Sequence, residues 1–156
     1  MNASGRYLMP LIDAALKRGQ HVRLTVNGMS MCPFLCDHDT VELAPPSALR
    51  LGDLVLAGAQ GPEIRERWKL HRVVRLHRDG SFTLRGDNRS EKEGPFSPDA
   101  ALGVVVDAWH HGKRRALNRG WWRIAGLLWL ATAPVSRRLY QALGSLRRLA
   151  KSVVRG

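Results

Sequence analysis

The stretch "WKLHRVVRLH", residues 68–77, is the longest strand-like run in the chain. Successive side chains of a strand point to opposite faces of a sheet, so Lys69, His71 and Val73 share one face of this run. Five shorter runs of β-type composition surround it: "HVRLTV" at 21–26, "TVELA" at 40–44, "DLVLA" at 53–57, "SFTLRG" at 81–86 and "LGVVVDAW" at 102–109. Turn-forming segments separate these runs and no helix-length pattern interrupts them. We therefore predict a mainly β fold, with a compact antiparallel β domain over residues 21–112.

Helices are predicted on both sides of this domain. Residues 1–20 are predicted to form a short N-terminal helix, because apolar residues at positions 8, 11, 12, 15 and 16 share one helical face and Gly19 can end it. Residues 113–156 are predicted to form a helical tail. It begins with the apolar run "GWWRIAGLLWLATAPV" and continues as "SRRLYQALGSLRRLAKSVVRG", a basic amphipathic helix with leucines along one face.

Charge is distributed unevenly between the domain and the tail. Residues 1–112 hold 14 basic and 13 acidic side chains, whereas residues 113–156 hold 11 basic and no acidic side chains. We therefore expect the tail to associate with an anionic membrane surface. A helical hairpin that packs on the β domain is the alternative. Nucleic acid is disfavoured as a partner, because the aromatic residues cluster in the apolar run instead of alternating with the basic ones.

Cysteine content and the N-terminal sequence bear on the compartment. Cys32 and Cys36 are the only cysteines, too few for a disulfide framework or a four-cysteine zinc site. We expect both to be reduced and buried, and we predict no metal and no other cofactor. The N-terminal segment lacks the long apolar run of a signal peptide. We therefore place the protein at the cytoplasmic face of a membrane, with the opposite topology open if the tail spans the bilayer.

A candidate nucleophile lies in the segment "VNGMSMCPFL", residues 26–35. The hydroxyl of Ser30 is a poor nucleophile unless a neighbouring base takes its proton. His71 is the favoured base because it lies in the longest strand-like run, and catalysis favours groups held on rigid elements. Lys69, on the same strand face, is the rival base. From the residues alone, His71 reads as an ordinary strand histidine more readily than as a catalytic one.

Five short boxes in order change this balance. The boxes "GMSMCPFL", "LGDLVLA", "LHRVV", "RGDN" and "LGVVV" resemble, in order and spacing, those of the signal peptidase I and LexA-like serine proteases, over about residues 20–108. The box "LHRVV" resembles the histidine form of archaeal and eukaryotic-type signal peptidases rather than the lysine form of the bacterial enzymes. The resemblance implies a coiled β fold and a serine endopeptidase that cleaves leader or signal peptides.

The resemblance also implies roles for individual residues. Ser30 matches the nucleophile and His71 the general base, while Met31 and Pro33 match the neighbours that fix the nucleophile loop. In "RGDN", Asp87 and Asn88 match the acidic box, where an aspartate orients the imidazole. A second aspartate follows six residues later in the histidine-type enzymes. Glu93 occupies that position and is the alternative acid. Gly28 and Met31 are candidates for substrate contact and the oxyanion hole beside the serine.

The chain also departs from the family pattern. Signal peptidases have a membrane anchor ahead of the serine, whereas the membrane-like segment of this chain follows the catalytic core. The 20 residues before the first strand are too few for the DNA-binding domain of LexA-type repressors. Our interpretation is a minimal serine peptidase. A peptide-binding or membrane-adaptor module without activity is the first alternative, and a basic nucleic-acid-binding protein is the second.

Overall fold

The computed structural model describes residues 3–58 and 68–132, with side chains from residue 8 onward. In this part of the chain, one helix precedes eight strands and a second helix follows them. The helices are α1 (Ala3–Lys17) and α2 (Gly120–Ala131). The strands are β1 (Val22–Thr25), β2 (Thr40–Ala44), β3 (Leu54–Gly58), β4 (Trp68–Leu76), β5 (Phe82–Arg85), β6 (Lys92–Phe96), β7 (Ala101–His110) and β8 (Lys113–Arg115). The predicted mainly β fold is confirmed. The predicted basic amphipathic helix in residues 136–156 lies outside the described residues.

All strands belong to one antiparallel sheet in the order β1-β2-β7-β3-β4-β5-β6, with β8 paired to β7. The longest strand-like run of the sequence, β4, pairs with β3 along Trp68–Arg72 and with β5 from Arg72 onward. Residues 68–71 of β4 therefore have a ladder on one side only among the described strands. This half-open segment of β4 carries both Lys69 and His71.

Buried apolar residues form two hydrophobic clusters. The larger one includes residues of β2, β3 and β7 together with Ile12 and Leu16 of α1, and the smaller one includes residues of β3, β4 and β5. Along β2, fully buried and partly buried positions alternate, and Val41 and Leu43 are the fully buried ones. The helix α1 therefore contributes its apolar face to the same core as the sheet.

Two strands were absent from our prediction. β6 (Lys92–Phe96) lies in a segment that we took as a turn because it contains Gly94 and Pro95. Proline is tolerated on a strand with no neighbour on one side, and β6 is the last strand of the described order. β8 (Lys113–Arg115) follows a tight turn after β7 and extends the sheet slightly beyond the boundary predicted at residue 112.

The helix α2 packs on the β domain rather than extending away from it. The indole nitrogen of Trp129 donates to the backbone oxygen of Asp87 at 3.0 Å, and Arg85 donates to the backbone oxygen of Leu130 at 2.9 Å. Trp129 also meets Phe34 edge to face. The first helix of the tail thus follows the packing that we considered as an alternative. No helix among the described residues is long and apolar enough to cross a membrane.

Candidate active site

Ser30 lies in the loop that joins β1 to β2, and the chain after β5 fixes that loop. The backbone N–H of Asn88 donates to the backbone oxygen of Ser30 at 2.8 Å, and the Asn88 side chain donates to the backbone oxygen of Met29 at 3.2 Å. At the start of the loop, Gly28 has φ +100° and its N–H donates to Asp37 at 2.8 Å. A side chain at that φ would be strained, so glycine is required there. The nucleophile loop is therefore held from both ends.

The structure brings Ser30 and His71 together across 41 positions of sequence. The distance from Ser30 Oγ to His71 Nε2 is 3.1 Å, within hydrogen-bond reach. His71 projects from the half-open segment of β4, and its side chain is only 8% exposed. The two groups thus satisfy the first geometric requirement for an activated serine, a base within reach of the hydroxyl proton.

Glu93 lies beside Nδ1, the other ring nitrogen of His71. Its Oε2 lies 3.3 Å from His71 Nδ1, while its Oε1 accepts from Lys69 Nζ at 2.7 Å. One carboxylate therefore joins the favoured base to its rival. Because Lys69 is bound in this ion pair, it is oriented toward Glu93, and no contact between Lys69 and Ser30 is found among the described residues. Ser30, His71 and Glu93 form a continuous Ser-His-Glu arrangement, with Lys69 behind the carboxylate.

Asp87, the acid that we favoured, has a different partner. Both of its carboxylate oxygens accept from Arg72, at 2.8 and 2.7 Å, and both side chains are completely buried. Arg72 adjoins His71 on β4 but points to the opposite face of the strand, and with both carboxylate oxygens bonded there Asp87 makes no hydrogen bond to the imidazole among the described residues. The expectation that Asp87 orients His71 is therefore wrong, and Glu93 holds that position. Asp87 instead anchors the backbone that leads into Asn88.

The surroundings shift the pKa values of these groups. Burial lowers the pKa of His71 below its ordinary value of 6.5, and the negative charge and hydrogen bond of Glu93 oppose that shift. The Lys69 cation lowers the pKa of His71 further. Burial raises the pKa of Asp87, and the paired guanidinium of Arg72 opposes the rise. A lowered pKa keeps His71 neutral, and so able to accept a proton, at pH 7.

Gly86 is a site residue that the sequence did not reveal. A Cβ atom at this position would lie 2.7 Å from the backbone oxygen of Ser30 and 3.1 Å from His71 Nε2. Real Cβ atoms do not approach a backbone oxygen that closely, so only glycine allows the chain after β5 to pass beside the Ser30–His71 pair. The sequence signal was present in "RGDN", but we assigned function to the aspartate and asparagine of that box.

A cleft of about 480 Å³ opens beside Ser30 and His71. Polar and apolar side chains both line it. The polar ones are Thr25, Asn27, Ser30, Lys69, His71, Arg89, Glu91 and Glu93, and the apolar ones include Met9, Leu24, Val26, Leu56, Trp68 and Leu70. Met31, predicted to contact substrate, lines part of the cleft but is 99% buried in the core. Gly28 has open space on its Cβ side. The cleft thus combines apolar lining residues with the Ser30, His71 and Glu93 side chains.

The cysteines are paired in a disulfide, Cys32–Cys36, so our expectation of two reduced thiols is wrong. Turns in the nucleophile loop explain the pairing. Backbone N–H groups of Phe34 and Leu35 both donate to the oxygen of Met31, which coils the loop and brings the two cysteine Cα atoms to 4.9 Å. That separation is within the usual range for a disulfide. From the sequence alone we did not expect two cysteines four positions apart to be paired, but the turn brings them close enough for a disulfide.

Among the described residues, no three histidine, cysteine, aspartate or glutamate side chains are grouped to hold a metal ion. No family model, no curated protein and no solved structure matches this chain.

Proposed function

We propose that the protein is a serine endopeptidase in which Ser30 is the nucleophile and His71 the general base. The observation that carries this proposal is the 3.1 Å separation between Ser30 Oγ and His71 Nε2, with a Glu93 oxygen 3.3 Å from the other ring nitrogen. A nucleophile, its base and a third group that orients the base are the features by which such sites are recognised on unrelated folds. The resemblance of the sequence boxes to signal peptidases favours the same reaction.

The chemistry follows from these contacts. Ser30 Oγ attacks the carbonyl carbon of the scissile peptide bond while His71 Nε2 accepts the hydroxyl proton. Glu93 stabilises the imidazolium that forms. His71 then returns the proton to the leaving amine as the C–N bond breaks, which leaves an ester on Ser30. A water molecule, deprotonated by His71, hydrolyses the ester and regenerates the free serine.

An extended peptide is the substrate that the cleft suits. Residues 68–71 of β4 pair with β3 but have no partner on the β5 side among the described strands, so their outward backbone groups can pair with a substrate strand. This segment ends at His71, which would bring the paired peptide to the reactive groups. A leader or signal peptide is the substrate class that the sequence resemblance favours.

The compartment is part of the proposal. We retain association with a membrane face through residues 113–156. The sequence alone placed the catalytic domain on the cytoplasmic side. The Cys32–Cys36 disulfide favours the opposite topology that we left open, because disulfides persist mainly in oxidising compartments.

A peptide library tests the activity. The full chain is incubated with a defined mixture of synthetic peptides, and new termini are read by mass spectrometry. Cleavage should disappear in Ser30→Ala and His71→Ala. It should persist in the matched controls Ser81→Ala and His77→Ala, which remove a serine and a histidine that bond to Asp79 and Thr83 away from the site.

The outcomes separate the proposed peptidase from its main alternative. Cleavage that survives Ser30→Ala would rule out Ser30 as the nucleophile. A folded wild-type protein that binds peptides without cutting any of them would favour a peptide-binding module that has lost activity.

A further inference from the structure

The helix α2 presents an apolar stripe to solvent. Trp121, Ile124 and Leu128 are exposed by 64%, 57% and 61%, respectively. Their spacing of three and four positions places them on one side of the helix. Single exposed apolar residues are ordinary on protein surfaces, but three large ones aligned on a single helical face are typical of an interaction surface.

The opposite face of α2 is fixed to the protein body. Gly126 lies against the Arg72 guanidinium so closely that a Cβ atom there would approach both terminal nitrogens at 2.6 Å. Trp129 donates to the backbone oxygen of Asp87, and Leu130 is 7% exposed. Because these contacts determine how α2 is rotated about its axis, the outward direction of the stripe is a property of the fold.

The charge of residues 113–156 indicates which kind of partner binds the stripe. Asp107 is the last acidic residue of the chain, and the 11 basic residues of 113–156 all follow it. The one within α2 itself, Arg123, packs against Gly52 of the protein body, and its guanidinium lies 3.8 Å from the carboxylate of Asp53. An exposed apolar stripe that contains tryptophan, in a segment with 11 basic and no acidic side chains, has the chemistry of a helix that lies in the headgroup region of an anionic bilayer.

The length of α2 agrees with a helix that lies on the bilayer. Its 12 residues extend about 18 Å along the axis, whereas the hydrocarbon core is about 30 Å thick. The inner face is moreover occupied by protein, so only the stripe is free to enter lipid. Shallow insertion of three side chains uses the surface that the fold leaves open.

We propose that Trp121, Ile124 and Leu128 form a docking surface for an anionic lipid bilayer. This goes beyond general attraction of a basic tail to lipid, because it assigns the contact to one face of one helix. Through Arg72 and Asp87, α2 is joined to the strand that carries His71 and to the segment that holds the nucleophile loop. Docking would therefore fix the cleft relative to the bilayer. Only this last consequence rests on the proposed peptidase function.

Vesicle flotation of the full chain tests the proposal. The protein carries Ser30→Ala so that binding is measured without any cleavage. Phosphatidylcholine vesicles with and without phosphatidylglycerol are compared. We expect binding to the anionic vesicles, and a loss of at least about a hundredfold in partitioning for the triple variant Trp121→Ser, Ile124→Ser, Leu128→Ser.

A matched variant controls for the general removal of apolar surface. Leu8 and Leu11 on α1 are exposed by 50% and 67%, so Leu8→Ser with Leu11→Ser removes comparable side chains from another helix. This variant should bind as the parent does. Equal loss in both variants, or full binding of the triple variant, would overturn the assignment to α2. A dimer that the triple variant dissociates, without any vesicle binding by the parent, would assign the stripe to a second copy of the chain.

Two further measurements keep the result interpretable. If the triple variant does not fold by circular dichroism, Trp121→Ser alone is compared with the parent in vesicles that contain brominated lipid. The parent should lose tryptophan fluorescence in proportion to insertion, and the single variant should lose less. Equal quenching in both would contradict the proposal. In the Ser30-containing protein, the triple variant should cleave a soluble peptide at the wild-type rate, so failure of docking and failure of catalysis give different results.

Discussion

Glu93→Gln is the substitution that distinguishes the arrangement in the structure from the one that the sequence favoured. Gln keeps the size of the side chain but removes the negative charge 3.3 Å from His71 Nδ1. That charge stabilises the imidazolium present in the transition state, so its loss should lower kcat. Binding of a peptide in the cleft does not need the charge, so KM should change little.

The size of the effect follows from the geometry. A hydrogen bond to a charged partner contributes about 1.5–3 kcal/mol, and each 1.36 kcal/mol in the barrier is about tenfold in rate. Loss of the charge should therefore reduce kcat by about 10- to 150-fold. The contact is long and Glu93 is 24% exposed and shared with Lys69, which places the expected loss near the lower figure.

Asp87→Asn is the matched comparison, because it removes one carboxylate charge from the acid that we first favoured. Here the charge belongs to a completely buried pair with Arg72, and breaking such a pair costs about 3–5 kcal/mol of stability. Urea unfolding should show this loss for Asp87→Asn. The partly exposed Lys69–Glu93 pair contributes about 1 kcal/mol or less, so Glu93→Gln should unfold almost as the wild type does.

The assay uses the best-cleaved peptide of the library described above, with kcat and KM measured at saturating and subsaturating concentrations. Wild-type kcat in Glu93→Gln, together with a large kcat loss and unchanged stability in Asp87→Asn, would refute the reasoning. The roles of the two acids would then be those that the sequence boxes implied. A loss of both stability and kcat in Asp87→Asn is compatible with the structure, because Asp87 precedes the asparagine that holds the nucleophile loop.

Two further predictions concern the base and its surroundings. His71 must be neutral to accept a proton and burial lowers its pKa, so kcat/KM should rise with pH through a midpoint below 6.5. Because the Lys69 cation lowers the same pKa, Lys69→Met should raise the midpoint, which NMR titration of the imidazole can follow. An unchanged midpoint would show that Lys69 does not act on His71. Gly86→Ala should reduce kcat by at least about a hundredfold, since its Cβ atom would lie 2.7 Å from a backbone oxygen of the nucleophile loop and must displace it; a wild-type rate in a folded Gly86→Ala protein would contradict the close approach.

The sequence predicted the strands that carry clear period-two patterns, and it singled out Ser30 and His71, whose side chains the structure brings within hydrogen-bond distance. His71 could be favoured because it lies on the longest strand-like run, and strand parity correctly put Lys69 on the same face. Both side chains now contact the same carboxylate. The alternation of side chains along β4 also predicts that Arg72, one position from His71, faces the other side of the sheet. Asp87 pairs with Arg72 on that side, away from the imidazole.

The resemblance offered Glu93 only as the alternative acid, and the residue patterns could not rank it above Asp87, because its position beside His71 depends on long-range pairing. Glu93 reaches His71 only because β6 pairs with β5, with Glu93 opposite Leu84, and the glycine and proline in β6 concealed that strand. The disulfide depends on a turn that the sequence does not specify uniquely. A local pattern can identify a strand, but it does not determine which edge strand returns to place an acid beside the base.

The two acids have different partners: Asp87 pairs with Arg72, and Glu93 contacts His71. Arg72 and His71 are adjacent on β4, so the strand directs a permanent cation to the buried face and a titratable base to the cleft. A buried cation requires a full partner, because an unpaired buried charge is strongly unfavourable. Asp87 supplies that partner and cannot serve the base as well. The cleft side tolerates a partly exposed acid that is shared with Lys69, since solvent screens its charge. In the mechanism that we propose, this strand therefore requires two carboxylates: Asp87 pairs with the buried Arg72, and Glu93 lies beside the imidazole of His71.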